Sequence, residues 1–97
     1  MKIALLAQGV IAKKCLKIFK DCPLEEISIS VVVTTDSFYQ NEILDNFGNV
    51  KFIDNSVRNE DMILSAISDY DIDVIISIQH PWILSSKIID AVDKRAF

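Results

Sequence analysis

The sequence predicts an α/β fold in which helices cover both faces of a parallel sheet with strand order 3-2-1-4. Strand and helix patterns alternate along the whole chain, which is typical of parallel sheets with crossover helices. The first and fourth strands, Lys2–Ala7 and Val74–Ile78, are apolar runs, as expected of strands buried on both faces. The third strand, Val50–Ile53, contains Lys51, which an edge position tolerates. We therefore expect a single domain over residues 1–97.

The first half of the chain contains the patterns of a helix and two further strands. A turn at Gly9 leads into an amphipathic helix over about residues 10–21. β-branched residues predict the second strand over residues 27–34. The polar stretch 35–41 is interpreted as a loop, and residues 42–47 as a short helical turn before the third strand.

In the second half, two residues carry helix-capping signals. Asn59 is predicted to cap a helix that runs to about Tyr70, because two acidic residues follow it in the first turn. After the fourth strand, residues 79–84 form a loop that contains the only histidine and the only tryptophan. Ser85 is predicted to cap a last helix, and the dipeptide 96–97 to begin a fifth strand.

Composition excludes several classes of protein. The longest apolar run, Ile3–Ala7, is much shorter than a membrane span or the core of a signal peptide, so we expect a cytoplasmic protein with no membrane contact. Two glycines cannot supply a dinucleotide fingerprint, and neither stands in a P-loop. Two cysteines and one histidine are too few for a zinc site, so we expect no metal. A net charge of −4 argues against binding nucleic acid by bulk attraction.

Four of the chain's ten lysine and arginine residues lie on one face of the first helix, and both cysteines lie on the opposite side. Its lysines are interpreted as a solvated face, the alternative being a contact for an anionic substrate or RNA. Cys15 and Cys22 lie on the apolar side and resemble small core residues. Seven helical residues separate Cα atoms by about 10 Å, whereas a disulfide tolerates less than about 7 Å, so no bond between them is expected. The lysines of this face are Lys13, Lys14, Lys17 and Lys20.

The predicted topology places a ligand site between strands one and four. In a doubly wound, Rossmann-like sheet, ligands bind beyond the carboxyl ends of the strands where the strand order reverses. The loops at that point are Gln8–Ile11 and Gln79–Leu84. The first leads into a helix whose free N–H groups can hold an anion, but one glycine alone favours an ordinary strand–helix turn. The second offers an apolar slot suited to a flat heteroaromatic ligand; alternatively its apolar residues pack the last helix onto the sheet.

Three other candidate residues are assigned no chemistry. His80 is a lone histidine without a neighbouring cysteine or carboxylate in sequence, so a satisfied or exposed imidazole is favoured over a metal ligand or catalytic base. Asp71 and Asp73 resemble a carboxylate pair, but they precede the fourth strand at its amino end. That is the wrong end of the sheet for a ligand site, so both are interpreted as loop residues.

Together these segments resemble the start of the formyltransferase family, which includes glycinamide ribonucleotide, methionyl-tRNA and sugar N-formyltransferases. Residues 73–89, which include Gln-His-Pro-Trp-Ile-Leu, resemble the family's folate-binding segment and look most like the sugar-modifying branch. Residues 2–9 are similar to the family's first strand and glycine turn, and residues 55–70 to its polar loop and helix. The resemblance covers the whole chain as the first part of the family's catalytic domain, and it implies an incomplete domain.

The resemblance implies transfer of a formyl group from 10-formyltetrahydrofolate to an amine acceptor. Gln8, Gly9 and Val10 match the turn that approaches the acceptor. The family's catalytic residues fall beyond Phe97, where its Asn-x-His motif should begin, so none is assigned here and the chain alone is expected to be inactive. The implied folate-binding residues are Gln79, His80, Pro81, Trp82, Ile83 and Leu84; the last four match positions that hold the pterin. Gln79 and His80 depart from other branches, which carry glycine and an aromatic residue.

Three functions therefore remain open. The first is transfer to a nucleotide-linked amino sugar, and the second is a methionyl-tRNA formyltransferase-like activity, the one case in which a nucleic acid would be a partner. The third is a non-catalytic α/β binding module. The fragment would also leave strand four near an open edge, which could pair with another chain in self-association.

Overall fold

The chain alternates strands and helices from its amino to its carboxyl end. The computed structural model describes residues 1–21, 26–44, 47, 49–55, 60–80, 84–93 and 95–97. In these ranges the elements are β1 (Lys2–Ala7), α1 (Gly9–Asp21), β2 (Ser28–Thr34), α2 (Asp36–Phe38) continuing into a π-helical turn (Tyr39–Ile43), β3 (Lys51–Asp54), α3 (Glu60–Asp69), β4 (Val74–Ile78) and α4 (Ser86–Ala91).

The four strands form one parallel sheet with the order β3-β2-β1-β4. Leu5 at the centre of β1 is paired with Val32 on one side and Ile76 on the other. The last five residues of β1 are buried, because β1 is covered by helices on both faces. The predicted strand order and the α/β class are therefore confirmed.

A fifth strand begins beside β4, as the sequence predicts. The Phe97 N–H donates to the Ile75 carbonyl at 2.8 Å, and the Ile75 N–H donates to the Arg95 carbonyl at 2.9 Å. Ala96 thereby forms a parallel bridge to Ile75. Part of the outer edge of β4 is covered by these residues, which leaves less of it open to a second chain than the sequence suggested.

Each face of the sheet has its own core. On one face, α1 and the α2 region pack against the sheet; on the other, α3 and α4 do. The first core consists of Leu5, Ala7, Ala12, Leu16, Val32, Phe38 and Ile43. The second consists of Ala4, Leu6, Val31, Val33, Ile53, Ile63, Ala66, Ile67, Ile72, Ile75, Ile88 and Val92.

The interpretation of Thr35–Asn41 as a loop is wrong, since this stretch forms α2 and most of the π-helical turn. The Thr35 hydroxyl accepts a hydrogen bond from the Phe38 N–H at 3.4 Å and caps α2. Phe38 and Ile43 are buried against the sheet. Burial of these two side chains stabilises helical turns that the polar residues between them do not reveal.

The capping predictions have different outcomes. Ser85 is the N-cap of α4, and its hydroxyl accepts from the Ile88 N–H at 3.4 Å, as expected. α3 begins at Glu60; Asn59, its predicted cap, lies outside the described residues.

Cys15 is a free, half-buried thiol, and Cys22 lies outside the described residues. We expect the native protein to contain no disulfide between them, because seven residues of the helix that the sequence predicts would separate their Cα atoms by about 10 Å, which is beyond the reach of a disulfide. Alkylation under denaturing, non-reducing conditions followed by peptide mass spectrometry should modify both cysteines. A cross-linked peptide joining Cys15 to Cys22 would show that α1 does not continue as predicted.

Candidate functional site

The two loops nominated from the sequence meet at the carboxyl ends of β1 and β4. The Gln8 N–H donates to the Ile78 carbonyl at 3.2 Å. One turn further, the Ile11 N–H donates to the side-chain oxygen Oε1 of Gln79 at 3.3 Å. These bonds bring two loops that are 68 residues apart into direct contact. The contact lies where strand order reverses, the usual position of a ligand site in such a sheet.

Gly9 is the residue that allows this contact. Its φ of +90° lies in the left-handed region, which residues with a Cβ atom rarely adopt. A Cβ atom at this position would also collide with Oε1 of Gln79, the end of a flexible side chain that would have to turn away. A single glycine in sequence is compatible with an ordinary turn, but here the positive φ favours glycine and the Gln79 side chain lies against it.

Gln79 also adopts a left-handed conformation, with φ of +55°. A glutamine is unusual there, since its Cβ crowds the following carbonyl. The resemblance to formyltransferases places a glycine at this position in other branches, and glycine is the residue that such a φ favours. At a position where the resemblance implies glycine, Gln79 therefore adds a side chain that contacts the Gly9 turn.

A row of hydrogen bonds continues across the same edge of the sheet. The Thr34 hydroxyl donates to the Ala7 carbonyl, linking β2 to β1. The Asn55 N–H donates to the Thr34 carbonyl at 3.1 Å, and its side-chain Nδ2 donates to Oε1 of Gln8 at 3.0 Å. Thr34 and Asn55 are the two buried polar residues of the described chain. The sequence analysis did not assign them to the site. Thr34 ends β2 and Asn55 directly follows β3, and these positions at the carboxyl ends of two strands could have indicated them.

A polar groove of about 290 Å³ opens beside the Gly9 turn. Gln8 and Gly9 line it, whereas the third residue expected at the acceptor side, Val10, is 65% exposed and does not. Lys13 in the groove forms an ion pair with Glu42 at 3.3 Å. The other lining residues come from the α2 region: Thr35, Ser37, Phe38 and Asn41.

The second loop is described at its two ends. Gln79 is exposed, and His80 and Leu84 are half-buried. Leu84 packs against the core on the α3 and α4 face. The remaining expected folate contacts, residues 81–83, lie outside the described residues. Leu84 therefore contributes to packing whether or not it also contacts a ligand.

At the opposite end of the sheet, Asp71 and Asp73 take the places that the sequence analysis gave them. The Lys2 N–H donates to the Asp73 carboxylate at 2.8 Å, and the Asp73 N–H donates to the Lys2 carbonyl at 2.9 Å. These bonds tie the start of β4 to the start of β1. Asp71 is an exposed loop residue with φ of +51°. Neither carboxylate is near the candidate site.

A second groove lies along the lysine face of α1. The lysine face of α1 lines an open groove of about 390 Å³, together with Leu16, Asp21, Glu42 and Phe47. Within the described ranges, no group of three or more His, Cys, Asp or Glu side chains could hold a metal ion. In the same ranges, no helix is both long and apolar enough to cross a membrane.

Comparison with known proteins identifies the fold. No family model matches the chain, and no curated protein matches it significantly. Among solved structures, it is similar to phosphoribosylglycinamide formyltransferase from Bacillus halodurans, with a TM-score of 0.69 at 7% sequence identity. The similarity covers 99% of this chain and 54% of that protein, so the chain spans about half of its length. The chain therefore has the α/β fold found in a formyltransferase.

Proposed function

We propose that the chain is part of a folate-dependent formyltransferase that acts in the cytoplasm. The observation that carries this proposal is the contact between Gly9 and Gln79. It joins the turn assigned to the acceptor with the loop assigned to folate, at the switch point of the sheet. A fold similarity covering 99% of the chain supports the same assignment.

In this proposal, the two loops hold the two substrates. Residues 79–84 hold the pterin part of 10-formyltetrahydrofolate, and Gln8, Gly9 and Val10 approach the amine acceptor. The amine nitrogen bonds to the formyl carbon, the bond from that carbon to the folate nitrogen breaks, the amine loses a proton, and the folate nitrogen gains one. This reaction needs a general base and a group that stabilises the developing charge. We assign neither role to a residue of this chain, so its own contribution is to bind and orient the two substrates.

We further propose a nucleotide-linked amino sugar as the acceptor. The loop sequence at residues 79–84 resembles the sugar-modifying branch most closely. The groove beside Gly9 offers hydroxyl and amide groups from Thr35, Ser37 and Asn41, which suit the hydroxyl groups of a sugar. One observation favours the alternative of a tRNA-linked acceptor: four lysines line the open groove along α1.

The proposal is tested by a formyl-transfer assay. We expect residues 1–97 alone to give no transfer above background, because the base and the charge-stabilising groups usually dominate the rate. A longer protein that contains these residues should formylate a nucleotide-linked amino sugar with 10-formyltetrahydrofolate as donor. The assay follows release of tetrahydrofolate and the mass of the acceptor, with methionyl-tRNA as the competing acceptor.

Each outcome of this assay decides one part of the proposal. Transfer by residues 1–97 would contradict the assignment of catalysis to other residues. Transfer to methionyl-tRNA but not to the amino sugar would support the assignment as a formyltransferase and exclude the amino sugar as its acceptor. No transfer to either acceptor, with no binding of folate, would favour a non-catalytic binding module.

A further inference from the structure

The open groove along the lysine face of α1, here called the lysine groove, is positively charged in a chain that is acidic overall. Its charged lining residues are four lysines against Asp21 and Glu42, although the whole chain has a net charge of −4. Among the described residues, Lys14, Lys17 and Lys20 have no ion-pair partner. Like charges at this helical spacing repel one another and destabilise a helix. An anion bound in the lysine groove would offset that repulsion.

The spacing of these lysines suits a short anion. Lys13, Lys17 and Lys20 follow one another at intervals of four and three residues, which places them on one side of α1. With a rise of about 1.5 Å per residue, they span about 10 Å along the helix axis. Two linked phosphates fit within this length, whereas a nucleic acid is normally held by more phosphate contacts over a larger surface.

The lysine groove continues into the groove beside Gly9. Both are lined by Lys13 and Glu42, so they meet at the ion pair between these residues. The Lys13 side chain is 54% exposed, and ion pairs that water reaches are weak, so Lys13 can also bind another anion. Apart from this pair, the polar lining groups beside Gly9 are uncharged. A ligand that occupies both grooves would place a neutral part near Gly9 and a negative part along α1.

Phe47 adds an aromatic side chain to the lysine groove. It is half-buried and packs against the first core, which restricts its motion. An aromatic ring beside positive charges suits a nucleotide, because a base can stack on the ring while the lysines bind the phosphates.

We propose that the lysine groove binds the diphosphate of a nucleoside diphosphate sugar, and that the sugar extends into the groove beside Gly9. Lys13, Lys17 and Lys20 bind the phosphate oxygens through charge-assisted hydrogen bonds, and Phe47 contacts the base. The inference rests on the proposed function only where it treats this ligand as the formyl acceptor. Binding of the ligand itself depends on the two grooves alone.

The test is an NMR titration of residues 1–97 at low ionic strength, with uridine diphosphate and uridine diphosphate glucose as probes. Both should give saturable shifts of the Lys17, Lys20 and Phe47 amide signals. Only uridine diphosphate glucose should also shift those of Ser37 and Asn41, because only it carries a sugar that reaches the groove beside Gly9. Uridine, which has no phosphates, should bind about tenfold more weakly than uridine diphosphate, and added salt should weaken binding of the diphosphate.

A pair of double variants assigns the effect to the lysine groove. Lys17→Gln combined with Lys20→Gln should weaken binding of uridine diphosphate about tenfold, since two charged contacts are lost. Lys2→Gln combined with Lys87→Gln is the matched control. It removes the same charge at two exposed positions that line neither groove, and it should leave binding unchanged.

Several results would overturn the inference. One is an absence of saturable binding of uridine diphosphate, and another is equal weakening in the two double variants. Shifts confined to the lysine groove with both probes would contradict its continuity with the groove beside Gly9. Binding of a single-stranded oligouridylate that uridine diphosphate does not displace would assign the lysines to RNA instead.

The formyl-transfer assay separates this inference from the proposed function. In a longer protein that contains these residues, Lys17→Gln combined with Lys20→Gln should raise KM for the nucleotide-linked acceptor and leave kcat nearly unchanged. Transfer with an unchanged KM would reject the diphosphate site and support the formyltransferase. Binding of uridine diphosphate at the lysine groove without any formyl transfer would support the diphosphate site and reject the proposed function.

Discussion

Replacing Gly9 by alanine is expected to destabilise the protein by about 1.5–3 kcal/mol. Two causes contribute. The left-handed backbone at φ of +90° disfavours any residue with a Cβ atom. The new Cβ atom would also collide with Oε1 of Gln79, so the Gln79 side chain must turn away and its hydrogen bond to the Ile11 N–H is lost. The free energy of unfolding, measured in urea for the wild-type protein and the variant, gives the size of the effect.

A double-mutant cycle separates these two causes. In a Gln79→Ala background the long side chain is gone, so Gly9→Ala should cost only the backbone part, about 1–2 kcal/mol. The difference between the two backgrounds measures the contact between the loops. Equal costs in both backgrounds would contradict this contact. A cost below about 0.5 kcal/mol for Gly9→Ala, as for an ordinary surface substitution, would contradict the conformation of the turn.

The second large effect is expected for Thr34→Val, which should cost about 1–3 kcal/mol of stability. The substitution keeps the shape of the side chain but removes the hydroxyl that donates to the Ala7 carbonyl. Thr34 and Ala7 are both 0% exposed, so water cannot replace the lost donor. Because this bond links β2 to β1 beside the site, the Gln8 amide should also change its chemical shift.

Thr34→Ser is the matched control, since it keeps the hydroxyl and removes only a methyl group. Thermal or urea unfolding of both variants should show the larger loss for Thr34→Val. A larger loss for Thr34→Ser would mean that packing of the methyl group, not the hydrogen bond, is the dominant contribution of Thr34.

Local patterns in the sequence were sufficient to predict the sheet. Continuous apolar runs in β1 and β4 indicated central positions, and Lys51 indicated an edge position for β3. A central strand is buried on both faces and an edge strand is not, so the apolar content of a strand indicates its position in the sheet. The α2 region was missed because its two buried residues, Phe38 and Ile43, are separated by polar residues. The stabilisation of that segment comes from contacts with the sheet, which a polar stretch of sequence does not reveal.

The site was predicted as two loops but not as a set of contacts. Topology alone placed the turn after β1 beside the loop after β4, because the strand order reverses between them. The bond from Asn55 to Gln8 joins residues 47 positions apart, and the bond from Ile11 to Gln79 joins residues 68 positions apart. Side-chain contacts over such separations leave no periodic signal in one sequence, so Thr34 and Asn55 were not assigned to the site.

The proposed folate site is tested most directly by titration with a stable 5-formyl folate, read from the fluorescence of Trp82. Trp82 is the only tryptophan, so its signal reports on the loop at residues 79–84 after correction for folate absorption. The ligand is titrated into residues 1–97 and into a longer protein that contains them. We expect saturable binding in both, weaker in residues 1–97, because a less enclosed site buries less of the ligand.

Three variants accompany this titration. Trp82→Phe should abolish the tryptophan signal. Leu84→Asp should weaken folate binding, because it places a charge beside an apolar slot. Since Leu84 also packs against the core, the thermal stability of this variant is measured with it, and Leu44→Asp at an exposed position is the control for an added charge. Saturable folate binding that changes Trp82 and is weakened by Leu84→Asp but not by Leu44→Asp is the predicted result. Folate binding by the longer protein without any change at Trp82 and without loss in Leu84→Asp would contradict the folate site.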